Sequence, residues 1–256
     1  MKIHHIRNAT MIIETAGKVL LVDPMLGSKG NLPPLTLFRF KPRKNPMVPL
    51  PNNMDRLLEK VTHCLITHQH PDHLDQQGIQ FLKDRQIPIL CSTKDEQDLT
   101  DEGLNVQTSL NYWETTDFAG LRVTGTPALH GYGFITKLMG NVIGFYLEPP
   151  EEPSIYLSSD TIYTEAVHKV LTEFQPDISV AACGSAQFDI FGPLLMTMDD
   201  ILKFFNHAPG KVIANHLEAI NHCPTTRAEL QKKVANNDLE KKVWIPEDGE
   251  TIDLST

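Results

Sequence analysis

Apolar residues in this chain fall into short runs, many of them alternating with polar positions, and glycine, proline or acidic residues separate one run from the next. That rhythm predicts short strands interleaved with helices. The opening runs predict strands over 2–6, 11–14 and 18–22, with Ala16-Gly17 as the hairpin turn between the last two. A short helix is expected over 54–60, then a buried strand over 64–67 that Pro71 stops. From Asp72 the apolar positions Leu74, Ile79, Phe81 and Leu82 take helical spacing, so an amphipathic helix is expected to run from there to about Arg85. Further strands are expected over 87–91, 121–128, 142–147, 154–161, 178–182, 211–214, 243–245 and 251–254. Helices are expected over 94–101, over 164–174, over 198–206 behind a Thr197 cap, and from Thr225 or Thr226 to Ala235.

Segment 25–53 breaks the rhythm. It holds six prolines, Phe38 and Phe40, and the basic cluster Arg39, Lys41, Arg43 and Lys44, without periodicity. A stretch of that length inside a compact domain reads as an ordered, lid-like insert with a functional role.

Composition narrows the class. A chain of 256 residues, 41% hydrophobic and 21% charged, can bury a sizeable core, and one domain over 1–256 is expected. No apolar stretch is long enough for a membrane segment, and the chain enters a strand at once rather than a basic-then-apolar leader, so a cytoplasmic location is expected. The net charge of -9 and the lack of a basic stripe argue against a nucleic-acid partner. Homo-oligomerisation is left open. Of the four cysteines, Cys64, Cys91 and Cys183 sit in apolar runs and read as buried thiols; Cys223, beside His222, is the one with a conceivable metal role.

The densest chemistry lies at His68-Gln69-His70-Pro71-Asp72-His73. His68 and His70, two apart on an extended segment, project to one side and suit one metal ion. Asp72 and His73 come a turn later and face a second position, and paired ions in hydrolytic sites lie roughly 3.5–4 Å apart. Other expected strands also end on ligand types, at His130, Asp160 and His216, and sheets of α/β proteins bind ligands at such ends. Asp23, at the end of the third strand and just before a proline, reads either as a group that hydrogen-bonds the metal-binding loop, which ligating histidines require, or as a plain turn-former. His4 and His5 alternate in a strand, so at most one is expected to face inward.

These residues resemble the metallo-β-lactamase superfamily, whose H-x-H-x-D-H motif appears as His68 to His73 and whose later His, Asp and His are matched by His130, Asp160 and His216. In length and layout the chain is similar to the branch of ascorbate-6-phosphate lactonases and N-acyl-phosphatidylethanolamine phospholipase D. The resemblance implies an α/β fold, a four-layer αββα sandwich. It implies one metal held by His68, His70 and His130, another by Asp72, His73 and His216, and Asp160 between them. Two divalent ions, zinc by default with manganese or iron fitting the same ligands, would then activate a shared water near neutral pH.

The function expected is that of a binuclear metal-dependent hydrolase acting on an ester, lactone or phosphoester bond of a small, anionic substrate. Asp72 would orient the attacking water, and His222, ahead of Tyr132 or Tyr163, would donate to the developing oxyanion or leaving group. The alternatives are a non-catalytic metal-binding protein and a phosphodiesterase acting on lipid or nucleotide substrates. A diiron oxygen- or NO-reducing protein of the same fold would carry glutamate in place of His70, which this chain does not.

Overall fold

The structure, a computed structural model, describes residues 1–254. Strands β1 (Lys2–Arg7), β2 (Thr10–Thr15), β3 (Lys18–Val22), β4 (His63–Leu65), β5 (Ile89–Ser92) and β6 (Val106–Leu110) lie in that order in one sheet. A second sheet runs in order from β7 (Thr115–Phe118) through β8 (Leu121–Pro127), β9 (Ile143–Glu148), β10 (Ile155–Leu157), β11 (Ile178–Ala182) and β12 (Lys211–Asn215) to β13 (Val243–Trp244). The last strand, β14 (Thr251–Asp253), returns to pair with β1.

Period-two alternation makes four layers of these two sheets. Leu20 and Val22 of β3 and Ile155 and Leu157 of β10 point between the sheets, into a core shared with Met11, Leu65, Phe145 and Val180. Leu21 faces the other way, under helices α1 (Met54–Leu58), α2 (Gln76–Arg85) and α3 (Glu96–Asp101), among Cys64, Leu82 and Leu99. Tyr156 faces outward under α4 (Glu165–Lys169), α5 (Met198–His207) and α6 (Arg227–Ala235), against Val170, Phe204 and Leu230. This is the αββα sandwich, helices on both outer faces of two packed sheets. Because both faces of β1 are covered, His4 and His5 are both buried, contrary to the one-inside expectation; His4 bonds Glu14 and Thr251, and His5 pairs with Asp248.

Local chemistry set several boundaries. Ala16 and Gly17 both take positive φ, 46° and 72°, as a two-residue hairpin turn of this hand requires. Thr197 and Asp200 form a reciprocal capping box at the start of α5, and Thr226 caps α6. Helix α2 begins at Gln76 rather than Asp72, because the Asp75 carboxylate accepts from Gly78 N and caps the helix there. Helix α4 passes into wider π-helical turns over Val170–Phe174. Strands β6 and β7 were not expected from sequence: both are edge strands, half exposed, with polar stretches in place of an apolar run. No helix among the described residues is long and apolar enough to cross a membrane.

Candidate metal centre

Strands β3 and β4 run parallel in the first sheet, and β8, β10 and β12 share one direction in the second, so their carboxyl ends meet at one rim of the sandwich. The chain turns sharply as it leaves them: Asp23, Ser159 and His216 sit in the left-handed region, at φ 45°, 58° and 60°. Non-glycine residues there cost conformational energy, and such strain gathers at functional sites.

All the residues expected at this end come together there. One ligand atom each from His68, His70 and His130 lies within 4.8 Å of the others, and the same holds for Asp72, His73 and His216 and for His68, His73 and Asp160. Asp160 sits between the groups, its carboxylate 3.3 Å from His73 Nε2 and 3.5 Å from both His130 Nε2 and His216 Nε2. Asp72 Oδ2 is 3.4 Å from His216 Nε2. His70 alone of the set is partly exposed, which leaves the cluster open on its side.

The imidazoles are held from behind. His73 Nδ1 donates to Asp23 Oδ2 at 2.8 Å, and Asp23 in turn accepts from the Thr67 amide and hydroxyl. His130 Nδ1 donates to the Leu194 carbonyl at 2.9 Å, His68 Nδ1 meets the Thr67 hydroxyl at 3.0 Å, and His216 Nδ1 lies 3.4 Å from Cys223 Sγ. With these Nδ1 atoms engaged, their Nε2 atoms turn inward; His68 Nε2 is buried without a hydrogen-bond partner, and His73 Nε2 and Asp160 Oδ1 face only each other, at 3.3 Å. Buried polar atoms are normally well paired, so donors that converge on a point with so few partners fit a cation held there.

Electrostatics agree. Burial pushes His68 well below the usual imidazole range and His130 down to about 4, so both are neutral lone-pair donors. At Asp160 burial opposes ionisation, but His216 and His73 outweigh it and hold the carboxyl well below its usual range. At His73 burial is likewise outweighed, by Asp160 and Asp23, and the imidazole is pushed up to about 10. His216 is raised likewise, so the carboxylates of this site favour positive charge beside them. Zinc, manganese and iron all accept such nitrogen and carboxylate donors.

Around this floor the outcomes differ. His222 is buried against the cluster, its ring stacked on Phe188 at 5.5 Å and 19°, close enough to Asp72 and His70 for their charges to act on one another. Tyr132 and Tyr163 are engaged elsewhere, on Asp200 Oδ2 and His168 Nδ1. All four cysteines are buried and unpaired. Arg39 does not stand free: its guanidinium bonds Gln187 Oε1 and the carbonyls of Asp189 and Phe191. Lys41, Arg43 and Lys44 are exposed.

Sequence reasoning missed Asn8, which occupies a left-handed position between β1 and β2 and donates to the Asp72 carbonyl at 3.0 Å. The Asn-Ala pair between two strands was the available signal. It also missed the rim. Of the ten most exposed large apolar side chains among the described residues, eight lie in three segments linked to the site: Leu37 and Phe38, bonded to Asp189; Leu129, Tyr132, Phe134 and Leu138, beside His130; Ile190 and Phe191, just after Phe188.

Comparison with known proteins agrees with this geometry. The family model described as the beta-lactamase superfamily domain matches residues 18–216. UPF0173 protein YddR of Bacillus subtilis (strain 168) is 32% identical over 253 residues, covering 98% of this chain and 99% of its own. A UPF0173 metal-dependent hydrolase of Agrobacterium fabrum is 30% identical over 203 residues, 76% of this chain and 82% of that one. Among solved structures, the isothiocyanate hydrolase from Delia radicum gut bacteria superposes with a TM-score of 0.91 at 33% identity, with both chains covered in full. A possible metal-dependent hydrolase from Veillonella parvula superposes with a TM-score of 0.89 at 32% identity over 98% of each chain. The fold, the convergent donors and these relatives place the chain in the β-lactamase superfamily, as a metal-dependent hydrolase.

Proposed function

We propose that the protein is a binuclear hydrolase of small electrophiles with an apolar body, and that isothiocyanates are the first compounds to try. His68, His70 and His130 would hold one ion and Asp72, His73 and His216 the other, with Asp160 between them. When bound, such ions polarise an electrophile and bring a water within reach of deprotonation near neutral pH. Asp72 would take the water's proton, and His222 would give one to the leaving atom.

The observation that carries the substrate reading is a set of eight exposed hydrophobic side chains on three segments linked to the site: 129–138 begins beside His130, 190–191 follows Phe188, which stacks on His222, and 37–38 is bonded to Asp189. Exposed apolar patches mark binding surfaces, and the rim suits a hydrocarbon group better than a charged one. A solved relative at 33% identity is named an isothiocyanate hydrolase. For R–N=C=S the chemistry balances simply. Water oxygen bonds to the central carbon, the C=N electron pair takes a proton at nitrogen, and the resulting thiocarbamic acid loses carbonyl sulfide to leave the amine R–NH2.

A second reading keeps an ester, lactone or phosphoester of an anionic substrate, and exposed Lys41, Arg43 and Lys44 on the insert favour it. The test is metal analysis of protein supplied with zinc, manganese or iron, followed by turnover of an aryl isothiocyanate, a lactone, an ester and a phosphodiester. The proposal expects about two ions per chain and amine release as the fastest reaction. A chain that binds no metal overturns it; faster lactone, ester or phosphodiester turnover moves the assignment to the second reading.

A further inference from the structure

The insert expected as a lid is tied down at many points, and most ties lead to one side chain. Asn221, buried between the His216 turn and His222, accepts at Oδ1 from Leu35 N at 2.9 Å and from Asn45 Nδ2 at 3.0 Å. Its Nδ2 donates to the carbonyls of Thr36 and Lys41 at 3.0 and 3.3 Å, and its own amide donates to Asn45 Oδ1 at 2.8 Å. The side chain's hydrogen-bonding capacity is thus spent on both limbs of the insert.

The next tie lies across the rim. The Asp189 carboxylate accepts from the Thr36 hydroxyl and from the amides of Leu37, Phe38 and Arg39, while Arg39 reaches back to Gln187. Phe188, beside Asp189, stacks on His222, and the Gln187 amide donates to the His222 carbonyl at 2.9 Å. The ties therefore close a circuit from His222 through Asn221, the insert, Asp189 and Phe188 back to the His222 ring. A ring with every link bonded is fixed on all sides.

We infer that Asn221 is a positioning residue that locks the insert into a fixed wall of the mouth and so sets both the His222 imidazole and the apolar rim at Leu37 and Phe38. The inference rests on the reading in which His222 donates a proton and the rim receives the substrate's apolar group. A side chain held by a satisfied buried network keeps its productive geometry without motion at the moment of reaction, whereas a lid would have to close first.

The experiment compares Asn221→Ala with wild type in the metal-loaded full chain, by amide hydrogen exchange over 33–45, metal content, and kinetics on an aryl isothiocyanate. Expected are at least tenfold faster exchange at Leu35 and Phe38, unchanged metal content, a KM several-fold higher and a kcat about tenfold lower. In a His222→Ala background Asn221→Ala should lower kcat no further, which a merely stabilising role would not produce. Asp189→Ala breaks the same circuit at the surface, away from the metal-binding residues, and should reproduce the exchange and KM effects should Asn221→Ala fold poorly. Wild-type exchange and kinetics in both variants overturn the inference, and so does loss of metal together with activity. If no compound is turned over, the exchange measurement still decides the lock, while a failed lock leaves the metal and substrate results standing.

Discussion

The floor and the mouth of this site are built on opposite principles. In the floor, polar atoms converge with few partners: His68 Nε2 is buried without one, and His73 Nε2 and Asp160 Oδ1 face only each other, at 3.3 Å. In the mouth, polar groups such as Asn221 and Asp189 pair among themselves, and Phe38, Phe134 and Ile190 face outward, with Lys41, Arg43 and Lys44 exposed on the same insert as Phe38. Unmet polar demand selects for charge, and satisfied polar groups under exposed apolar ones select for shape and hydrophobicity. On the proposed reading the floor would carry the hydrolysis and the mouth would choose which molecules enter, the usual division between strand ends and loops.

Four substitutions test that division. Removing Asp160, which lies between the donor groups, should do the most harm: Asp160→Ala is expected to lower metal content and to cut kcat/KM by about 10³-fold or more, about 4 kcal/mol of transition-state stabilisation. Wild-type metal content and rate would break the division at its floor. His222→Ala should leave metal content intact and lower kcat about 100-fold with little change in KM, because a proton donor acts in the transition state. A KM effect alone would move His222 from the floor to the mouth. Behind the floor, Asp23→Asn keeps the size but weakens the acceptor of the His73 proton, and about a 10-fold loss of metal affinity is expected by isothermal titration. The smallest effect belongs to the rim. Phe134→Ser should raise KM for an aryl isothiocyanate a few-fold, about 1 kcal/mol, and leave kcat and metal affinity untouched. Should the same change raise KM equally for a small polar substrate, the rim does not read hydrocarbon.

How far the sequence could be read follows the same line. The floor was legible because its residues carry their own spacing, His68 through His73, and because the remaining donors follow apolar runs that only a strand explains. The two packed sheets followed from the family resemblance, and their alternating positions agree with it. Helix α2 was placed four residues early because Asp75, one carboxylate among several, decides the start by capping. Edge strands β6 and β7 carry Gln107, Ser109 and Asp117 where an apolar signal was sought. The mouth was illegible. Arg39 reads in sequence as one of a basic cluster on a lid-like insert, yet its partners, Gln187 and the carbonyls of Asp189 and Phe191, lie about 150 positions away, and no local pattern reports a bond of that span. His222 was found through its neighbour His216; its stacking on Phe188 was not.

The donors of the floor come from both sheets: His68, His70, Asp72 and His73 follow β4 of the first, and His130, Asp160 and His216 follow β8, β10 and β12 of the second. A cation bound there is therefore a staple between two halves of the sandwich. It binds a geometry that the unfolded chain does not possess, so its binding free energy is added to the folding free energy, about 2.7 kcal/mol when free metal stands at 100 times its dissociation constant. The melting temperature should accordingly rise with metal concentration and fall in a chelator, while Asp160→Ala should melt at a temperature that neither changes by as much. Supply of metal would then govern how much folded protein a cell keeps as well as how fast that protein works.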